Sequence, residues 1–187
     1  SSRTSLGGFG SSLKIGKWSK GHWRYSEEFI LRSVGLELNG LGYMTLSNLV
    51  KNNLSLSYVE KKNTKTFKNY TITAQQQSAW DAHGQSLYAQ ASLNLQAEFM
   101  NNWIVLLTGQ HRFHITDEWL LRGGPAMRVP NLTAYTASVQ SSFSKKVFFS
   151  LAGSYNHGGS GNLRFLSLSG DVTYRPKPNL ALSLQPN

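Results

Sequence analysis

The chain has 187 residues, with 19 Lys and Arg against 9 Asp and Glu, a formal net charge of +10 and no cysteine. The missing cysteines exclude a disulfide framework and a thiolate metal site, and no apolar run approaches the ~18 residues that a membrane helix needs. The mean hydropathy of −0.33 leaves a membrane barrel open, because strands that alternate in polarity dilute that signal.

Length allows one domain with a sizeable core. Charged residues make up 15% of the chain, against about 25% in soluble domains. The first predicted strand covers Leu6–Gly16, with Phe9, Leu13 and Ile15 on one face. The second, Trp23–Arg32, has Trp23, Tyr25, Phe29 and Leu31 in phase, and the third, Val50–Val59, has Val50, Leu54, Leu56 and Tyr58. The fourth spans Phe67–Gln77.

The fifth, Gln85–Phe99, is the clearest. Its odd positions read Leu87, Ala89, Ala91, Leu93, Leu95, Ala97 and Phe99, and its even positions Tyr88, Gln90, Ser92, Asn94, Gln96 and Glu98. Successive strand side chains point to opposite faces, so this is one strand with an apolar and a polar face. It exceeds the 5–6 residues or so of an ordinary strand and reaches the ~9–11 that a tilted membrane strand requires. The polar face carries amides and hydroxyls with little charge, as a strand between lipid and a wet lumen would.

Trp103–Ile115, Leu132–Phe143 and Val147–Tyr155 follow as strands six to eight. In the ninth, Arg164–Tyr174, Leu166, Leu168, Val172 and Tyr174 oppose Ser167, Ser169, Asp171 and Thr173; the tenth, Asn179–Gln185, carries Leu180, Leu182 and Leu184. No helical periodicity competes. The expected fold is therefore all-β: an antiparallel up-and-down meander of about ten long strands, part of a transmembrane β-barrel that need not close on itself. Both ends read as cut, so residues 1–187 are expected to be a single barrel segment truncated at each end.

Odd-numbered connections are tight (Lys17–His22, Glu60–Thr66, Met100–Asn102, Ser144–Lys146, Arg175–Pro178). Even-numbered ones read as longer: Ser33–Leu49, Ser78–Gly84, Thr116–Asn131 and Asn156–Leu163. Outer-membrane barrels sort their connections this way between two rims. Trp18, Trp23, Phe99, Trp103, Phe143 and Phe148 stand beside the tight turns, with Trp80, Trp119 and Tyr155 by the longer loops. Rings of this kind form interfacial girdles, which makes Trp18, Trp23, Phe99, Trp103 and Trp80 the membrane-interface candidates.

Two basic groups, Lys61, Lys62, Lys65 and Lys68, and Lys14, Lys17, Lys20 and Arg24, fall in or beside turns. That suits a solvated rim touching lipid phosphates better than a nucleic-acid face, which needs cations and aromatic platforms interleaved. No metal ligand set is visible: His111 and His114 are three apart on a strand and diverge, while His22, His83 and His157 have no local partner in sequence. No catalytic residue, metal or cofactor can be nominated, and enzyme activity is not expected.

Two segments break the alternation, one from Gly35 to Met44 and one from Leu121 to Pro130. In the second, Gly123-Gly124-Pro125 makes a tight turn flanked by Arg122 and Arg128, whose forks suit carboxylate or phosphate partners. With Trp119 they form the candidate ligand site; the alternative is a structural loop whose arginines pair with Asp117, Glu118 or Glu37. These segments resemble the C-terminal barrel of the domain-of-unknown-function family 5916 of Gram-negative envelope proteins. Asn39-Gly40-Leu41-Gly42-Tyr43 matches that family's Asn-Asp-Leu-Gly-aromatic segment except that Gly40 replaces Asp, and Thr45 and Leu46 replace the arginines that often follow. Arg122-Gly123-Gly124-Pro125-Ala126-Met127-Arg128 matches closely. The resemblance implies an outer-membrane location, further strands, and an upstream carbohydrate-binding family-nine-like domain on the same polypeptide.

The expected function is an outer-membrane barrel that binds or passes a solute such as a glycan, with the lipid bilayer as partner and no nucleic acid. The alternatives are a barrel hydrolase acting on glycan or lipid, and a soluble basic β module binding nucleic acid.

Overall fold

A computed structural model describes residues 7–36, 48–113, 115–117, 127–159, 163–177 and 180–185, with 115–117 described by their backbone. The long alternating segments form β1 (Gly10–Lys17), β2 (Trp23–Arg32), β3 (Leu49–Glu60), β4 (Phe67–Trp80), β5 (Ser86–Phe99) and β6 (Ile104–Arg112). Two short strands follow, β7 (Ile115–Asp117) and β8 (Met127–Val129), and then β9 (Leu132–Gln140), β10 (Val147–Gly158), β11 (Leu163–Lys177) and β12 (Leu180–Leu184). Ten of them make one antiparallel meander in the order β1-β2-β3-β4-β5-β6-β9-β10-β11-β12, while β7 and β8 pair only with each other. The sheet is open, with β1 and β12 as its edges.

Register gives the two faces their composition. Leu95 stands opposite Ile72 and Leu107; Leu107 is opposite Ala137, Ala137 opposite Gly153, and Gly153 opposite Leu168. Residues opposite one another share a face, so Leu93, Leu95, Leu166, Leu168, Leu182 and Leu184 line one surface. Asn94, opposite Thr73 and Thr108, belongs to the other surface, as do Ser154 and Ser167.

Little of the apolar surface is covered. Among the described residues, the buried hydrophobic side chains are Leu49, Ala79, Ala97 and Phe148, whereas Leu166 is 75% exposed and Leu184 70%. A soluble sheet would hide such a face beneath helices or a second sheet, and no such layer is present among the described residues. Strand lengths are equally unlike those of a soluble sheet. β5 has 14 residues and β11 has 15; at ~3.3 Å per residue, 14 residues span about 45 Å. Even at a tilt of about 45° that length exceeds the ~25 Å apolar band that a membrane barrel has.

The β1–β2, β3–β4, β5–β6, β9–β10 and β11–β12 connections leave the sheet at one rim, and the β2–β3, β4–β5, β6–β9 and β10–β11 connections at the other. Two of the four connections read as long are in fact short. β4 continues to Trp80 and β10 to Gly158, taking into the sheet residues that sequence assigned to loops. The predicted sixth strand stops at Arg112, and the chain re-forms a ladder as the β7–β8 hairpin inside the 113–131 connection. The tight turns carry left-handed residues where needed: Lys20 and Gly21 have φ 66° and 76°, and Asn102 has φ 65°. Asn tolerates that region better than most residues with a Cβ.

Candidate functional site

On the apolar face at the tight-turn rim, aromatic rings run from strand to strand. His22 stacks on Tyr58 at 5.5 Å, Trp23 meets Tyr58 edge-on at 5.1 Å, and Tyr58 stacks on Tyr70 at 6.0 Å. Phe67 continues the row to Tyr70 (5.6 Å) and Phe99 (4.7 Å). Its strand parity alone would turn Phe67 away, but a register shift between Phe67 and Asn69 brings it opposite Phe99. Farther along, Trp103 meets Phe149 edge-on at 5.0 Å. These are the offset and T-shaped geometries that ring quadrupoles favour.

Three sequence-picked interface residues, Trp23, Phe99 and Trp103, belong to this row, and Trp80 lies at the opposite end of the same face, opposite Val50. Trp18 does not join it: Lys14 Nζ lies 6.0 Å from its ring, and Trp18 borders a polar cavity with Arg24 and Ser57. Phe148 is buried and stacks on Phe143 at 4.0 Å; it is opposite Thr173, on the polar face. Sequence reading had placed Tyr58 in phase on its strand, but it missed Tyr58, Phe67, Tyr70 and Phe149 as rim residues. Their positions at strand ends were the available signal.

The polar face is cross-linked from strand to strand. Asn53 Nδ2 donates to Glu28 at 2.9 Å, Ser57 and Thr73 hydroxyls meet at 2.9 Å, and Thr108 donates to Asn94 at 3.0 Å. Lys68 Nζ and Asn69 Nδ2 both donate to Glu98, at 3.1 and 2.9 Å. Ser154 meets Ser167 at 2.7 Å, and Thr173 meets Ser183 at 2.9 Å. Small polar side chains thus satisfy one another on a face that sequence read as a wet interior. Two shallow depressions of about 630 and 730 Å³ lie largely on the apolar face, the first around Leu107, Ala137 and Gly153 and the second around Phe67, Ile72 and Leu107. The polar face holds a smaller cavity of about 240 Å³.

Of the proposed ligand site, Arg122, Trp119, Gly123, Gly124 and Pro125 lie outside the described residues, as do Asn39, Gly42 and Tyr43. Arg128 is described: it sits in β8 opposite Thr116 and is exposed. The cavities given above do not include Arg128 among their lining residues.

The histidines find partners that sequence did not reveal. His22 Nδ1 lies 3.1 Å from the Val59 carbonyl and 3.3 Å from Glu60. In the 81–85 turn, Asp81 accepts hydrogen bonds from the backbone N–H groups of His83 (2.9 Å) and Gln85 (2.8 Å), and His83 Nδ1 lies 3.3 Å from its second oxygen. The Gln85 bond, aided by His83, holds the Asp81 carboxyl below its ordinary 3.8 against the opposing pull of burial. A hydrolase needs a hydroxyl and a base within reach. His111 Nδ1 and Thr133 Oγ1 are 2.8 Å apart, but they lie opposite each other in the row that contains Ala91, on the apolar face. Among the described residues, no three His, Asp or Glu side chains gather as a metal site.

The family model for a domain of unknown function, DUF5916, matches residues 1–187. The chain belongs to this family. No curated protein and no solved structure matches the chain. The DUF5916 match spans both segments on which the resemblance was drawn.

Proposed function

We propose that this DUF5916 chain is part of an outer-membrane β-barrel of a Gram-negative cell, whose polar face lines a wet interior that binds or passes a solute such as a glycan. One observation carries the reading: among the described residues, a single ten-stranded sheet leaves an apolar face uncovered and edges it with a row of rings at one rim. A bilayer supplies the missing cover, and rings of this kind settle at headgroup depth. The opposite face has the amides and hydroxyls of a hydrated lumen. The hydrolase alternative is weaker, since the His111–Thr133 pair belongs to the face assigned to lipid. An N-terminal carbohydrate-binding-like domain on the same polypeptide would deliver a glycan to such a lumen.

Reconstitution of the full-length protein into vesicles tests this. It should float with the vesicles, and Trp23 and Trp103 fluorescence should be quenched more by lipids brominated near the headgroup than by lipids brominated at mid-chain. Protein that stays soluble without detergent and does not float would sink the reading. Vesicle swelling with neutral sugars of graded size would then separate passage from binding alone.

A further inference from the structure

The basic group Lys14, Lys17, Lys20 and Arg24, which reads in sequence as a solvated rim, is folded in part around a cavity. We propose that this cavity binds a phosphate group carried by a small polar solute such as a monosaccharide. It lies beside the tight-turn rim, measures about 240 Å³, and is lined by Lys17, Trp18, Arg24, Ser26, Ser55 and Ser57, with Tyr25 completing the wall. The inference rests on the reading of the polar face as a solvent-filled lumen, and it names the class of solute that lumen takes.

Arg24 is the deciding residue. Its Nε is buried and has no hydrogen-bond partner among the described residues. A guanidinium cannot shed its charge, so a buried N–H of this kind is an unmet donor. Arg24 stands opposite Ser57, and Ser26 opposite Ser55, which sets hydroxyls of the neighbouring strand beside the fork. Lys17 is the second cation of the wall, and Lys14, outside the wall, holds its Nζ 6.0 Å from the Trp18 ring.

The nearby acids are engaged elsewhere. Glu28 accepts from Asn53, and Glu60 accepts from the backbone N–H of Lys62 and lies beside His22. Neither lines the cavity. A basic pocket with no carboxylate in its wall selects an anion, and a planar fork beside the Ser26 and Ser55 hydroxyls, with Ser57 shared with Thr73, suits the tetrahedral oxygens of phosphate. Trp18, more than half exposed, offers a flat apolar surface on which a sugar ring can lie. The cavity is below the ~300–1,000 Å³ of drug-sized sites, which fits one ring and its phosphate and excludes a long glycan chain.

The experiment is calorimetry on the full-length protein in detergent with inorganic phosphate, glucose 6-phosphate and glucose. Parallel flotation uses neutral vesicles and vesicles containing phosphatidylglycerol. Phosphate and glucose 6-phosphate should bind, glucose about tenfold or more weaker, and raised salt should weaken both anions. Arg24→Gln should lower anion affinity about tenfold, and Trp18→Ala should lower glucose 6-phosphate affinity more than phosphate affinity. Lys145→Gln, an equal charge change at the same rim, should leave both intact. Equal binding of glucose and glucose 6-phosphate overturns the proposal, as does binding indifferent to both Arg24→Gln and Trp18→Ala. A response only to phosphatidylglycerol vesicles assigns the chemistry to lipid headgroups and also overturns it. Anion binding in detergent without vesicle insertion keeps the site and sinks the barrel; insertion without anion binding does the reverse.

Discussion

Across β5, β6, β9, β10 and β11 the apolar face is largely unbroken: Leu93, Leu95, Leu107, Ala137, Val139, Leu151, Leu166 and Leu168 meet in register. Across β2, β3 and β4 the same face is interrupted. Glu27 stands opposite Leu54 and Leu54 opposite Gln76, while Asn52 stands opposite Phe29 and Ser78. The interruption is internally satisfied, with Asn52 Nδ2 donating to Glu27 at 3.1 Å and Gln76 Nε2 to Ser78 at 2.7 Å. Strand parity therefore assigns a side chain to a face without dictating what covers that face locally. If bilayer covers the unbroken region, the interrupted one either tolerates a paired polar patch at some cost or meets something other than lipid.

The largest expected effect tests the unbroken region. If bilayer covers that region, Leu93→Arg should destabilise the reconstituted protein by about 2–4 kcal/mol, the cost of a cation near the midplane of a lipid-facing strand, whereas Asn94→Arg, one residue on and facing the polar side, should cost a small fraction of that. Urea titration of the two variants in vesicles measures both. Equal penalties would break the distinction between the faces.

The second test concerns the interrupted region. Replacing Glu27 and Asn52 together by leucine should stabilise the protein by about 1 kcal/mol if lipid covers them, because a polar pair gives way to apolar surface without leaving an unpaired partner. Glu27→Leu alone should gain less, since it strands the Asn52 amide. Destabilisation of the double variant in the same titration would show that protein or water, not lipid, meets this patch.

The smallest effect lies at the outer end of β4, where the Asp81 carboxylate ties the 81–85 turn. Its folded-state pKa is depressed, so its contribution is present above the 3.8 of an ordinary Asp carboxyl and is lost as pH falls through the lower folded value. Amide exchange at His83 and Gln85 should accelerate relative to the sheet at acidic pH below 3.8, and Asp81→Asn should remove much of that pH dependence. Turn amides that respond to acid no differently from those of β5 would rule this role out.

How far sequence reached varies by element. Gln85–Phe99 was read as one strand and is β5 to within a residue at its start, because alternation of period two is a local property that needs no partner. Trp23, Phe99 and Trp103 were legible as rim residues because they sit at strand ends beside short turns. Phe67 was not, since a register shift re-aims it, and such shifts depend on how two strands mate. Asp81 and His83, two residues apart, become partners only through the geometry of their turn. The Arg24 cavity was half legible: its cations are neighbours in sequence, but Ser55 and Ser57 arrive from β3.

The sequence by itself determined that the chain makes long antiparallel strands with one apolar and one polar face, because each strand's faces follow from its own alternation. Only the tertiary structure decided which faces join. Register across ten strands gathers the apolar sides into one surface, threads rings from His22 to Phe99 along its rim, and closes Arg24, Trp18 and two strands' serines around a cavity. The physical reason is that pairing brings together residues far apart along the chain, and no local pattern encodes which of them will stand opposite one another.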